Sequence, residues 1–185
     1  MKSILLFTGL IIAEIFTSNV NGQNYEWAYT TAKSPATKVS TIRKDHGDNF
    51  YLATFLDTSS SYVQSELEKR DNNQQLLWNK MLTGDVYISD MEVNSSNGIV
   101  VIGYYNDSLT IDGSTIVNVG FDYSGFIFEV DENGVLQWLH DINPINQIFQ
   151  PVDLFIAQDG FMYMTSEFAG VLNDFTAFHK LDLQG

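Results

Sequence analysis

An Asp, six intervening residues and a Trp recur along the chain. They stand as Asp71-Asn-Asn-Gln-Gln-Leu-Leu-Trp78 and again as Asp131-Glu-Asn-Gly134-Val-Leu-Gln-Trp138. A third copy opens at Asp182-Leu-Gln-Gly185. Self-similarity at a fixed spacing is the signature of a repeat architecture, so it restricts the fold before any single element is assigned. Each unit has three landmarks: a Trp, a turn-like residue that opens an apolar strand (Asn49, Gly98, Gly160), and the Asp of the closing motif. Trp27 to Asn49 and Asn49 to Asp71 are each 22 residues, as are Trp138 to Gly160 and Gly160 to Asp182. The middle unit runs 20 residues from Trp78 to Gly98, then 33 from Gly98 to Asp131. Its extra length lies around Thr110-Ile-Asp112-Gly113-Ser-Thr-Ile116. Asp-Gly between alternating apolar residues predicts an added hairpin, because that turn needs positive φ.

The units read as short strands. Val86 to Val93 alternates, and Ile99 to Tyr105 is apolar and aromatic; Phe50 to Phe55 and Phe161 to Phe168 are its counterparts. Tyr62 to Arg70, Phe126 to Val130 and Ala177 to Leu181 follow, then the Asp turn and the Trp strands Gln75 to Trp78 and Val135 to Trp138. β-branched and aromatic residues fill these runs, and Gly, Asn and Asp separate them. No helical period stands out beyond residue 22. The expected class is all-β: about three four-stranded, propeller-like blades, with units at 27–77, 78–137 and 138–185. Such rings take about 4–8 blades, so the expectation is part of a larger ring.

Residues 1–22 read as a signal peptide. Met1-Lys2 is a short positive start, Ile4 to Phe16 is mostly apolar, and Val20-Asn21-Gly22 offers a small-residue cleavage site. The apolar run falls short of the about 20 residues that span a bilayer. The expected domain is therefore 23–185, secreted or displayed at the cell surface, with no membrane insertion after cleavage. There are 0 cysteines, so thiol chemistry and Cys-based metal sites are excluded and disulfides cannot brace the exported fold. That suits bacterial export.

The net charge is −14, and no Lys or Arg lies between Met81 and His179, where fourteen acidic residues do. Phosphate binding needs basic side chains, so nucleic acid is excluded as a partner.

With Asp122-Tyr-Ser-Gly-Phe126-Ile-Phe-Glu-Val-Asp131-Glu-Asn-Gly134-Val-Leu-Gln-Trp138, the chain resembles the bacterial SBBP-type β-propeller repeat family. Pro151-Val-Asp-Leu-Phe-Ile-Ala-Gln-Asp159-Gly160-Phe-Met-Tyr-Met-Thr resembles that family's next two strands and their turn. The first unit departs, with Gln74 where the turn would carry Gly and Asn49 in place of Gly. The resemblance implies an exported or surface-displayed repeat protein, often of the type IX secretion route, with no general catalytic activity and an N-terminal piece of a longer protein. The Asp-turn-Trp pattern is also similar to the tryptophan-docking motif of quinoprotein propellers, in which Trp packs between blades.

Trp27, Trp78 and Trp138 are read as core packing rather than ligand platforms. Asp71, Asp131 and Asp182 are read as turn residues holding their own backbone. No cofactor is expected; Ca²⁺ stands as the one alternative, through these Asp residues, Asp131-Glu132-Asn133 or the Asn106-Asp107 to Asp112 loop, although none has calcium-loop spacing. His46, His140 and His179 are isolated, and His140 and Asp141 face opposite ways on a strand. Glu129, Glu132 and Glu167 supply carboxylates without a spacing that ranks them for glycoside hydrolysis. The sequons at Asn94 and Asn106 are read as exposed polar loops. The expected function is non-catalytic binding of protein or glycan, with Asn106 to Phe121 as the binding loop and Asn106, Asp107, Asp112 and Gly113 as its residues. The alternatives are a propeller hydrolase or quinoprotein completed by further blades, and an oligomer that assembles through its strand edges.

Overall fold

A computed structural model describes residues 37–57, 63–120, 122–142, 148–169 and 175–182. Residues 1–22, read as a signal peptide, Trp27, Tyr62, Phe121 and residues 183–185, where the third copy of the motif was expected to turn, lie outside these residues. Every element described is a β-strand. The strands are β1 (Thr37–Lys44), β2 (Phe50–Asp57), β3 (Val63–Arg70), β4 (Leu76–Val93), β5 (Ile99–Ile111), β6 (Ser114–Val117), β7 (Ser124–Val130), β8 (Leu136–Ile142), β9 (Ile148–Ile156), β10 (Phe161–Ala169) and β11 (Phe175–Asp182). All pairings are antiparallel.

The all-β expectation holds, and three sheets emerge as meanders. The Trp runs and Val86–Val93, read as separate strands, form one continuous β4. Up to Leu82 this strand pairs with β3, and from Thr83 it pairs with β5. It is thus the last strand of the first sheet and the first of the second. Gly84 sits at the crossing, with φ of 129°. β5, β7 and β8 complete the second sheet, and β6 pairs with the far end of β5. The third has order β11-β10-β9.

The sheets stack face to face, because the middle one is apolar on both sides. Strand residues alternate between faces. On β5, Ile99 and Val101 join a cluster with Tyr51, Ala53 and Leu67 of the first sheet. Val100 and Ile102 join a second cluster with Phe149, Leu154 and Met162 of the third. Gly125 on β7 leaves room for the Phe149 ring, which a Cβ there would overlap. Ile99 to Ile102 are all 0% exposed, which explains a continuous apolar run where a surface strand would alternate.

Five turns share one geometry. In each, the first residue's N–H bonds to the carbonyl four residues on, and the fourth residue's N–H returns to the first carbonyl; the first residues are Asp45, Asp71, Asn94, Asp131 and Ala157. The fourth residues, Asp48, Gln74, Asn97, Gly134 and Gly160, all have positive φ. This corrects the landmark alignment. Gly160 is the structural equivalent of Asp48 and Asn97, so Asn49 and Gly98 correspond to Phe161. The equal intervals of the first and third units were one residue out of register.

Candidate functional site

The Asp–Trp motif read as a repeat holds its own turns, and at Trp78 it joins two sheets. Asp71 Oδ1 accepts the N–H groups of Asn73 (2.9 Å) and Gln75 (2.8 Å). Asp131 Oδ1 does the same for Asn133 (2.9 Å) and Val135 (2.8 Å). Both side chains stabilise their own turns, as their residue type suggests. Asp182 ends β11, opposite Phe161. The Trp78 ring of the first sheet lies on the Asp131 turn of the second. Its Nε1–H donates to the Glu132 carbonyl at 3.0 Å, and a Cβ at position 134 would meet the ring at 2.9 Å. Gly134 is required twice, by its φ of 84° and by this contact. Trp138 donates to Glu129 Oε2 at 2.8 Å, and its ring lies tilted against His140 with centroids 5.3 Å apart. Glu129 also accepts from Asn94 Nδ2 at 2.8 Å. Asn94 is only 8% exposed and braces its own turn, while Ser95 and Ser96 of the same sequon are exposed, so the loop is exposed but its Asn side chain is not.

Gln74 occupies the position of Gly134 with φ of 67°. An L-residue there costs about 1–2 kcal/mol, against which glycine loses about 0.5–1 kcal/mol of unfolded-state entropy. Gln74→Gly is therefore expected to raise unfolding free energy by up to roughly 1.5 kcal/mol in urea titration.

The second-sheet extension is the predicted hairpin. Ser108 to Ile111 pairs with Ser114 to Val117, and Asp112 and Gly113 both have positive φ (50° and 81°). The hairpin is anchored. Leu109 and Ile111 are buried in the cluster between the first two sheets, with Ile116 against it. Asp112 Oδ2 accepts from Lys80 Nζ of the first sheet at 2.6 Å. Asn106 Oδ1 caps the Asp107 N–H, and the Asp107 carbonyl accepts from Asn118. Asp107, Asp112 and Gly113 are exposed. Half-buried Tyr87 and Tyr104 stack near the base of the extension, with Tyr123 edge-on to both.

The strongest polar constellation was not singled out in the sequence. It joins the first strand of each sheet. Arg43 on β1 donates to Asp90 Oδ1 (2.6 Å) and Glu92 Oε2 (3.1 Å) on β4. Asp90 Oδ2 accepts the Leu154 N–H of β9 at 3.0 Å, and the same carboxyl shares a hydrogen bond with Asp153. Burial pushes the Asp90 carboxyl above its ordinary 3.8. The Leu154 and Met91 N–H groups and Arg43 pull it back in part, and Asp153 adds to the rise. A carboxyl raised in the folded chain contributes stability fully below 3.8, and that contribution is lost as pH rises through the elevated value. Asp90→Asn is expected to flatten this loss in a series of melting temperatures against pH. Asp141, raised by burial beside Tyr105, keeps the same sign in the variant.

The remaining titratable candidates are enclosed or spent. Ser166 Oγ lies 2.7 Å from His179 Nε2. Ser166 is 0% exposed and Phe149 and Phe168 pack on the histidine ring, so the hydroxyl has no route to a substrate. His140 and Asp141 diverge, one onto Trp138 and the other to Tyr105. His46 bonds to Asn97. Among the described residues no group of three or more His, Cys, Asp or Glu is placed to hold a metal ion.

No protein-family model matches the chain, and neither does any curated protein.

Proposed function

We propose that the chain is an exported, SBBP-like β-propeller scaffold that binds protein or glycan without catalysis, its three stacked sheets being blades of a larger ring. The carrying observation is that polar side chains at repeated positions are committed to holding turns and joining sheets. Asp71, Asp131 and Asn94 hold turns, Trp78 bridges to the next sheet's turn, and Arg43, Asp90 and Glu92 tie first strands together. The second-sheet extension departs from the repeat, and it supplies exposed Asp107, Asp112 and Gly113 on an anchored base. A rigid base with a variable loop is the usual layout of a binding site.

Replacing the exposed tip, residues 112–115, by a two-residue turn leaves buried Leu109 and Ile111 in place and is expected to abolish ligand capture while the far-ultraviolet spectrum stays β-rich. Glycan arrays and capture of the exported partner proteins would read this. Unchanged capture by the shortened variant removes the extension from the reading. A second reading, a ring enzyme, is favoured by the convergence of Asp90, Glu92 and Asp153 on adjacent first strands. It predicts glycosidase turnover that Asp153→Asn eliminates; the scaffold predicts none. Export predicts a mature protein that begins at Gln23, which N-terminal sequencing of secreted material would read.

A further inference from the structure

Among the described residues, the third sheet leaves uncovered the face that is covered on the other two. Turn positions and strand pairings align the three sheets residue by residue. In the first sheet Tyr51 pairs with Lys69, and Ala53 with Leu67. In the second Val100 pairs with Glu129, and Ile102 with Ile127. In the third Tyr163 pairs with Lys180, and Thr165 with Phe178. On the first sheet this face packs on the second, with Tyr51, Ala53 and Leu67 at 0% exposure. On the second it packs on the third, with Val100 and Ile102 at 0% and Ile127 at 4%. On the third, Phe178 is 69% exposed and Phe155, beside Tyr163, is 58% exposed.

The charge pattern repeats too. Lys69 lies over the Tyr51 ring at 4.7 Å, and its Nζ donates to the Glu132 carbonyl in the turn of the covering sheet. Lys180 lies over the Tyr163 ring at 5.5 Å and over Phe161 at 3.7 Å. It holds the position from which Lys69 reaches across.

We propose that this face of β9, β10 and β11 is the docking surface for one further four-stranded sheet of the same repeat, supplied by the same polypeptide. An exposed aromatic face of this kind marks an interface. Its occupant follows from continuity with the two interfaces already formed: in both, this face is covered by the sheet next in sequence, and at the first of them β4 runs unbroken from one sheet into its cover. The covering sheet presents an apolar face to Phe178 and Tyr163, and a turn carbonyl to Lys180. The inference rests on the stacked-blade part of the proposed function and not on ligand binding.

Hydroxyl-radical footprinting read by mass spectrometry tests it, on the protein as its source exports it and on the 185-residue chain alone. The expected result is labelling of Phe155, Tyr163 and Phe178 in the 185-residue chain. That labelling should be lost, down to the level of Tyr51, in an exported protein heavier than 20.9 kDa. Equal labelling in both samples overturns the proposal. Protection in an exported protein no heavier than 20.9 kDa that sediments as a dimer also overturns it, and assigns the face to a second copy. A negative ligand screen would leave this result untouched, so the two readings fail separately.

Discussion

Gly84→Val is expected to lower the unfolding free energy by about 2–6 kcal/mol, the sum of backbone strain of roughly 1–3 kcal/mol and overpacking of roughly 1–3 kcal/mol. Gly84 has φ of 129°, a conformation that valine avoids. A Cβ there would also fall inside contact distance of the Ser108 carbonyl oxygen, which is backbone and cannot rotate away. The residue stands where β4 leaves β3 and joins β5, so relieving the clash means parting β4 from β5 at the first pairings of the second sheet. Typical domains are stable by only about 5–15 kcal/mol, so the loss is a large fraction of the whole. Urea unfolding would read it as a lower midpoint. A midpoint within error of wild type would mean that the crossing relaxes at no cost. Gly84→Ala removes the valine branch and keeps the strain, so an intermediate value is expected.

Lys69→Ala is expected to cost about 3–5 kcal/mol, the range for removing one partner from a buried ion pair. Lys69 Nζ lies 3.1 Å from Asp45 Oδ2, and the two side chains are 4% and 1% exposed. Without the ammonium, the Asp45 carboxylate is left enclosed with only its turn bonds. These come from Gly47 N, Asn49 N and Asn49 Nδ2. The ring of Tyr51 loses its cation, and the Glu132 carbonyl loses a donor from the other sheet. Lys69→Met keeps the packing of the stem, so the difference between the two variants isolates the aliphatic part. Asp45→Asn keeps an acceptor for the turn and is expected to cost less. A double-mutant cycle with Lys69→Met measures the pair itself.

The pair also sets a pH dependence. Burial pushes the Asp45 carboxyl up, but hydrogen bonds from Asn49, Lys69 and Gly47 together bring it below 3.8. Its contribution to stability is therefore present above 3.8 and lost as pH falls through the lowered value. Burial pushes Lys69 down, but its bonds to Tyr51 and Asp45 leave it above 10.5. That contribution is present below 10.5 and lost as pH rises through the raised value. In Asp45→Asn the acid-side loss should shrink, whereas Asp90→Asn should change the slope on the other side of 3.8. Melting temperatures that respond identically in the two variants would show that neither carboxyl is perturbed as its surroundings demand.

Much of the strand pattern was legible because it is written locally. Asp71 and Asp131 bond to backbone two and four residues away, and Asp112-Gly113 turns the chain within a single hairpin. The turns that open β2 and β5 carried a weaker signal of the same kind, an Asp or Asn followed three residues later by another Asp or Asn, residue types that tolerate positive φ. Asp45 to Asp48 and Asn94 to Asn97 have it, and it would have placed the register correctly where the glycine at 160 misled. The hairpin's outline was legible too, but not its attachment. The Lys80–Asp112 pair lies on two strands of different sheets.

Sequence alone determined the residue types and the local turns, because the interactions responsible span at most a few positions. Tertiary structure decided what those turns touch. It brought Trp78 onto Gly134, Lys69 onto Asp45 and Glu132, and Arg43 onto Asp90 and Glu92. Each of these contacts forms between residues far apart in the chain. Burial by the neighbouring sheet, which no local pattern encodes, decides which polar groups need partners and which apolar face is left for another sheet to cover.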